Sequence, residues 1–171
     1  MIELKVEFFA SSVIVRPKLW RNTLSKFSGC DMIFDTGASM TTIDTSVALR
    51  SGYSLKDADN IFVTGVGRNK IPAKRIVIPN IKLNDFELGP ILVNVLEFPE
   101  GSSALAVLGM NVIKEFRVTA DFKDKRPEPD GRDASISLEP TFDIKSKPTY
   151  EDFIPTESRF GIWSMKSLSQ L

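Results

Sequence analysis

An acid stands where an apolar strand runs into a glycine turn. Met32-Ile33-Phe34 is a short apolar run that reads as a buried strand, and it leads directly into Asp35-Thr36-Gly37. Asp35 is therefore placed at a strand end, in partly apolar surroundings. Gly37 has no Cβ, so the backbone can turn sharply there and bring its N–H close to the carboxylate, while Thr36 sets a hydroxyl beside it. Burial disfavours the charged form of a carboxyl group and donated hydrogen bonds favour it, which lets such a site be tuned for giving and taking protons. The same three residues also describe a lone structural acid with a neighbouring hydroxyl. The rest of the chain decides between the two.

The composition removes whole mechanisms. There is no histidine among the 171 residues, so Ser-His-Asp and Cys-His hydrolysis are impossible within the chain, and a zinc site would need carboxylates and one thiol. The single cysteine, Cys30, excludes an intrachain disulfide and reads as a small core residue next to the strand. Lys plus Arg and Asp plus Glu both number 22. That balance offers no electrostatic footprint for a nucleic acid or an anionic membrane, and it tolerates self-association. The cluster Arg68, Lys70, Lys74 and Arg75 is the local exception and reads as the solvated face of a hairpin. Glu3, Lys5 and Glu7 interrupt the N-terminus where a signal peptide needs an unbroken apolar stretch, and no run is long enough to span a membrane, so a cytoplasmic protein is expected.

The elements around Asp35 are mostly strands. Ile2, Leu4, Val6 and Phe8 alternate with charged residues as one half-buried strand, and Val13-Ile14-Val15 reads as its partner, closed by Pro17. After the Asp35 turn, Thr42 or Asp44 caps a short helix through Val47 and Leu49 that ends at Gly52. Leu55 to Asn60 reads as a polar connector. Ile61 to Thr64 and Lys70 to Ile78 form a hairpin around Gly65-Val66-Gly67-Arg68, and a second, tight hairpin turns at Asn84-Asp85. The glycines at 65 and 67 lack the further residues of a phosphate-binding loop. Ile91 to Leu96 is another strand. Ala104 to Leu108 is a second apolar run stopped by a glycine, Asn111 to Phe116 reads as a short helix, and Arg117 to Phe122 and Ile136 to Leu138 complete the strands. One domain over residues 1–140 and a C-terminal arm over 141–171 are expected, with Lys123 to Asp133 a solvated loop.

Three segments in this order carry a resemblance. Phe34-Asp35-Thr36-Gly37-Ala38-Ser39 resembles the active-site signature of the retropepsin-like aspartic proteases, Thr64-Gly65-Val66-Gly67 looks like the family's flap, and Val107-Leu108-Gly109-Met110-Asn111 resembles the apolar segment that crosses behind the catalytic loop and opens its helix. The Leu-Gly-Met stretch is like that of prokaryotic members. Retroviral members usually have Gly-Arg-Asn or Gly-Arg-Asp there, so Met110 is a departure that bears on the dimer interface. The resemblance spans roughly residues 1 to 140. It implies an all-β fold with one or two short helices, a closed acid-protease-like β-barrel with one lobe per chain.

The resemblance also implies a role for each site residue. The family's active site needs two Asp-Thr-Gly loops and this chain has one, so it implies a homodimer in which Asp35 meets its own copy across a two-fold axis. Such a dyad shares one proton, activates a water and hydrolyses a peptide bond with no metal or other cofactor. Thr36 braces the opposite loop, and Gly37 shapes the turn. Gly65, Val66, Gly67 and Ala38 are implied to contact the extended peptide substrate, by strand-like backbone pairing. A catalytically silent peptide-binding or assembly module on the same fold is the alternative, since fold and motif do not guarantee activity. A phosphotransferase with Asp35 as nucleophile is disfavoured by Gly37, which stands where that chemistry usually has a second acid.

Overall fold

The computed structural model describes residues 1–64, 69–122 and 134–141. In chain order the elements are β1 (Ile2–Lys5), β2 (Glu7–Phe9), β3 (Ser12–Val15), β4 (Lys18–Arg21), β5 (Lys26–Gly29), β6 (Met32–Phe34), β7 (Thr42–Asp44), α1 (Thr45–Arg50), β8 (Asp59–Thr64), β9 (Lys70–Ile78), β10 (Ile81–Leu83), β11 (Phe86–Glu87), β12 (Ile91–Leu96), β13 (Ala106–Leu108), α2 (Met110–Ile113), β14 (Phe116–Asp121) and β15 (Ser135–Pro140). Among the described residues the chain is all-β with two short helices, the fold class that the resemblance implies. Neither helix is long and apolar enough to cross a membrane.

The strands form three sheets. Eight of them are ordered β2-β3-β6-β13-β7-β12-β9-β8, four are ordered β11-β10-β4-β5, and three are ordered β1-β15-β14. One apolar core joins all three, with Leu19, Met32, Ile43, Ile78, Ile91 and Leu138 among its fully buried side chains. The strand that precedes Asp35, β6, lies inside the large sheet, antiparallel to β3 and parallel to β13. Flanking strands on both sides leave its end little freedom.

Several boundaries differ from the sequence pattern, each for a physical reason. The N-terminal alternation is split at Val6: β1 pairs with β15, whereas β2 pairs with β3 in another sheet. Val6 keeps its buried place and donates its N–H to the carbonyl of Ala134, so one periodic pattern serves two sheets. Residues 18–29 form a hairpin that their charged composition hides. It is held by an edge-to-face pair of Trp20 and Phe27, with ring centroids 5.3 Å apart, and its turn puts Ser25 at φ 48°. The second helix stops at Ile113, because Phe116 is needed as a buried residue at the start of β14. Asp59 and Asn60, expected in a connector, already belong to β8.

Other expectations hold. Asn84 turns the tight hairpin at φ 54°, and Asp44 rather than Thr42 caps α1. Thr141 is tied back to the domain, its N–H and hydroxyl both donating to the carbonyl of Glu115, at 3.0 and 2.9 Å. The arm beyond it, from 142 to 171, lies outside the described residues, as do residues 123–133.

Asp44 does more than begin a helix. Its Oδ1 accepts from the N–H and hydroxyl of Ser46, and its Oδ2 accepts from the N–H of Phe98 at 2.9 Å. Its own N–H donates to the carbonyl of Leu105 at 2.8 Å. One buried acid thus pins both ends of the loop 99–104. Burial pushes this carboxyl up, but the hydrogen bonds from Phe98 and Ser46 outweigh it and the net displacement is below the ordinary carboxylate range. A depressed folded value contributes stability that is present above the unfolded carboxyl value and lost as pH falls through the folded one. Asp44→Ala should therefore cost about 1–2 kcal/mol at neutral pH. Denaturant unfolding of both proteins across pH should show the gap closing in acid.

Candidate active site

Asp35 is positioned from three sides. Its N–H donates to the carbonyl of Leu108 at 3.1 Å, which extends the β6-β13 ladder one residue beyond the strand. The chain then leaves the sheet in a tight turn. Gly37 donates its N–H to Asp35 Oδ1 at 2.8 Å, an Asx-type turn that orients the carboxyl group, and Ala38 donates to the Asp35 carbonyl at 3.3 Å. A Cβ on Gly37 would lie 3.1 Å from Oδ1 and crowd this bond. Asp35 is half-buried, with Thr36 and Gly37 exposed beside it, so the acid is accessible yet held.

The other end of the turn is tied to the segment 108–113. The N–H groups of Met110 and Asn111, which a helix start leaves without intrahelical partners, donate to the carbonyls of Ala38 and Ser39 at 2.7 and 3.0 Å. Behind them the two chain segments touch. A Cβ on Gly109 would lie 2.4 Å from the carbonyl carbon of Met40 and 2.7 Å from the nitrogen of Thr41, so only glycine allows this approach. Thr41 is wholly buried and fully engaged. Its N–H and its hydroxyl both donate to Asn111 Oδ1, at 2.6 and 2.9 Å, and its Oγ1 accepts from the Gly109 N–H at 3.2 Å. Asn111 completes the knot by donating from Nδ2 to the Leu92 carbonyl at 3.0 Å.

The expected residues Asp35, Thr36, Gly37 and Ala38 thus come together in one exposed turn. Gly65, Val66 and Gly67, expected to contact substrate, lie outside the described residues together with Arg68. The strands that flank them pair from Asp59 with Arg75 to Thr64 with Lys70, as a hairpin. Of the basic cluster, Lys70 is exposed, whereas Lys74 and Arg75 are half-buried and Arg75 Nε donates to Asn94 Oδ1 at 3.2 Å. Cys30 is half-buried against the core, and burial pushes its thiol up to about 11. A cleft of about 320 Å³ that includes Tyr53, Asp57 and Arg75 contains none of residues 35–41.

Sequence reasoning did not assign the brace. Thr41 and Asn111 carry it, and the available signal was their polarity between apolar neighbours, Met40 and Ile43 on one side, Met110 and Val112 on the other. What each would bond to is invisible locally, because the partners are 70 residues apart.

Comparison with known proteins agrees with this geometry. A family model described as aspartyl protease matches residues 28–112, which include the turn, the paired hairpin strands and the brace. Among solved structures, the chain is similar to a retropepsin-like aspartic protease from Rickettsia conorii, with 19% identity, a TM-score of 0.50, and 80% of this chain and 87% of that one covered. No curated protein matches the chain.

The brace makes a quantitative prediction. Asn111→Ala leaves the buried Thr41 N–H and Leu92 carbonyl without partners and should cost about 3 kcal/mol, and Thr41→Val should cost about 1–2 kcal/mol. The two changes remove one network, so the double variant should lose less than the sum, with a coupling above about 0.5 kcal/mol. Denaturant unfolding of the four proteins measures it.

Proposed function

We propose that this chain, whose residues 28–112 match the aspartyl protease family model and whose fold is retropepsin-like, is an aspartic endopeptidase that works as a homodimer. The observation that carries this reading is the state of Asp35. It is accessible at the end of an inner strand, and one of its oxygens is fixed by the Gly37 N–H on a turn that is braced from behind. The sequence supplies one such Asp-Thr-Gly loop, and the reaction needs two acids. A two-fold axis beside the exposed Thr36 and Gly37 brings two copies of Asp35 together.

The chemistry follows from one shared proton. Two adjacent carboxylates resist ionising together, so one stays protonated while the other is charged. The charged one takes a proton from water, whose oxygen attacks the carbonyl carbon of the peptide bond. The protonated one donates to the carbonyl oxygen as negative charge develops there. When the C–N bond breaks, the acid that took the water's proton gives it to the leaving nitrogen and the other acid takes one back from a hydroxyl of the tetrahedral intermediate, so the dyad is again singly protonated. The hairpin of β8 and β9 supplies strand edges against which an extended peptide can pair, and Thr36 and Ala38 lie beside the acid to meet it.

Asp35→Asn should lower kcat/KM by about 10³-fold or more, the order expected for loss of general acid–base catalysis. The variant should still sediment as a dimer, since an amide removes the repulsion between the two acids. Wild-type activity should fall as pH rises, because a doubly ionised pair has no proton to donate. A peptidic mimic with a hydroxyl at the cleavage position should inhibit. Cleavage by the Asp35→Asn protein, or indifference of the wild type to the mimic, would remove the proposal.

A further inference from the structure

Phe9 is an exposed aromatic residue. It ends β2, the edge strand of the large sheet, where it is paired with Ser12. In the next ladder Ile14 faces Ile33 and Val15 faces Met32, and continuing that register brings Ser12 level with Asp35. Directly opposed residues of antiparallel strands point to the same face. Phe9, Ser12 and Asp35 therefore lie in one line on one face, with about 10 Å between the outer two Cα positions, two strand spacings.

Neighbouring contacts border this line on the sheet. Phe8 points to the opposite face, where it meets Phe122 edge to face with centroids 5.7 Å apart. Phe9 meets no other ring among the described residues and is 59% exposed. Ser103 Oγ donates to Ser12 Oγ at 3.3 Å, which holds the loop 99–104 over the middle of the line. That loop is itself pinned at both ends by Asp44. Its position is thus fixed by three separate hydrogen bonds.

We propose that Phe9 is a specificity-determining residue, the outer wall of a subsite that takes a bulky apolar side chain of the substrate within three residues of the cleaved bond. The span follows from the distance, since an extended peptide advances about 3.3 Å per residue. Ser12 and Ser103 act as positioning residues that hold the loop against this wall. The inference rests on the peptide-cleaving role of Asp35.

The test uses the full chain with Phe9→Ala and Phe9→Lys, both at an exposed site that tolerates change. Each protein is given a mixed peptide library, and cleavage preference is read position by position. The wild type should favour bulky apolar residues at one position near the cut. Phe9→Ala should lower that preference by about tenfold, and Phe9→Lys should shift it towards acidic residues at the same position. Unchanged preferences in both variants would overturn the assignment, and so would a shift to monomers in sedimentation, which would make Phe9 an interface residue. If the wild type cleaves no peptide, binding of the same library to the Asp35→Asn chain decides. Binding that depends on Phe9 keeps the subsite and discards the protease reading; binding that ignores Phe9 discards the subsite.

Discussion

The buried bonds from Thr41 to Asn111 are the constraint on which the rest of the site depends. Both residues are almost fully enclosed, and every polar group that they bring inside finds a partner across the chain. In a water-poor interior each such bond is costly to leave unmade, so the two segments have one favourable arrangement and no cheap alternative. The consequence reaches the surface at Asp35. A carboxyl group on an exposed turn would ordinarily sample many positions, but this turn is anchored at Leu108, at Met110 and at Asn111 within a few residues. Preorganisation of this kind lets a single hydrogen bond from Gly37 set the direction of the acid.

A second acid serves the same end by a different route. Asp44 joins the start of α1 to both ends of the loop 99–104, so the segment that bonds to Ser12 is fixed from the strand that follows the Asp35 turn. The Asp35 turn and the loop 99–104 are therefore both tied to one stretch of ten residues, Asp35 to Asp44. Much of the surrounding sheet supplies burial, and these few polar contacts supply geometry.

The stretch around Asp35 was the most legible part of the sequence because its signals are local. An apolar run, an acid and a glycine need no distant partner to be read as strand, acid and turn, and the same holds for the Asp44 cap and the Asn84 turn. Strand pairing is not local in that sense. The alternation from Ile2 to Phe8 correctly separates buried from exposed residues, yet nothing in it says that the chain changes sheets at Val6. The hairpin of β4 and β5 is hidden in the sequence because its apolar residues, Leu19, Trp20 and Phe27, stand among lysines and arginines, and because a serine, not a glycine, takes the positive φ in its turn. The Asn111 brace could be suspected as a polar residue among apolar ones, but its partner is set by the fold.

The central claim is that catalysis needs an Asp35 from each of two chains. Wild-type and Asp35→Asn chains can be unfolded together, refolded so that they pair at random, and assayed at constant total concentration. If both acids of an isologous pair are required, activity follows the square of the wild-type fraction and an equimolar mixture retains about a quarter. Retention of about half, with each Asp35 acting alone in its own chain, or of about three quarters, with one Asp35 enough for the pair, would contradict the shared dyad.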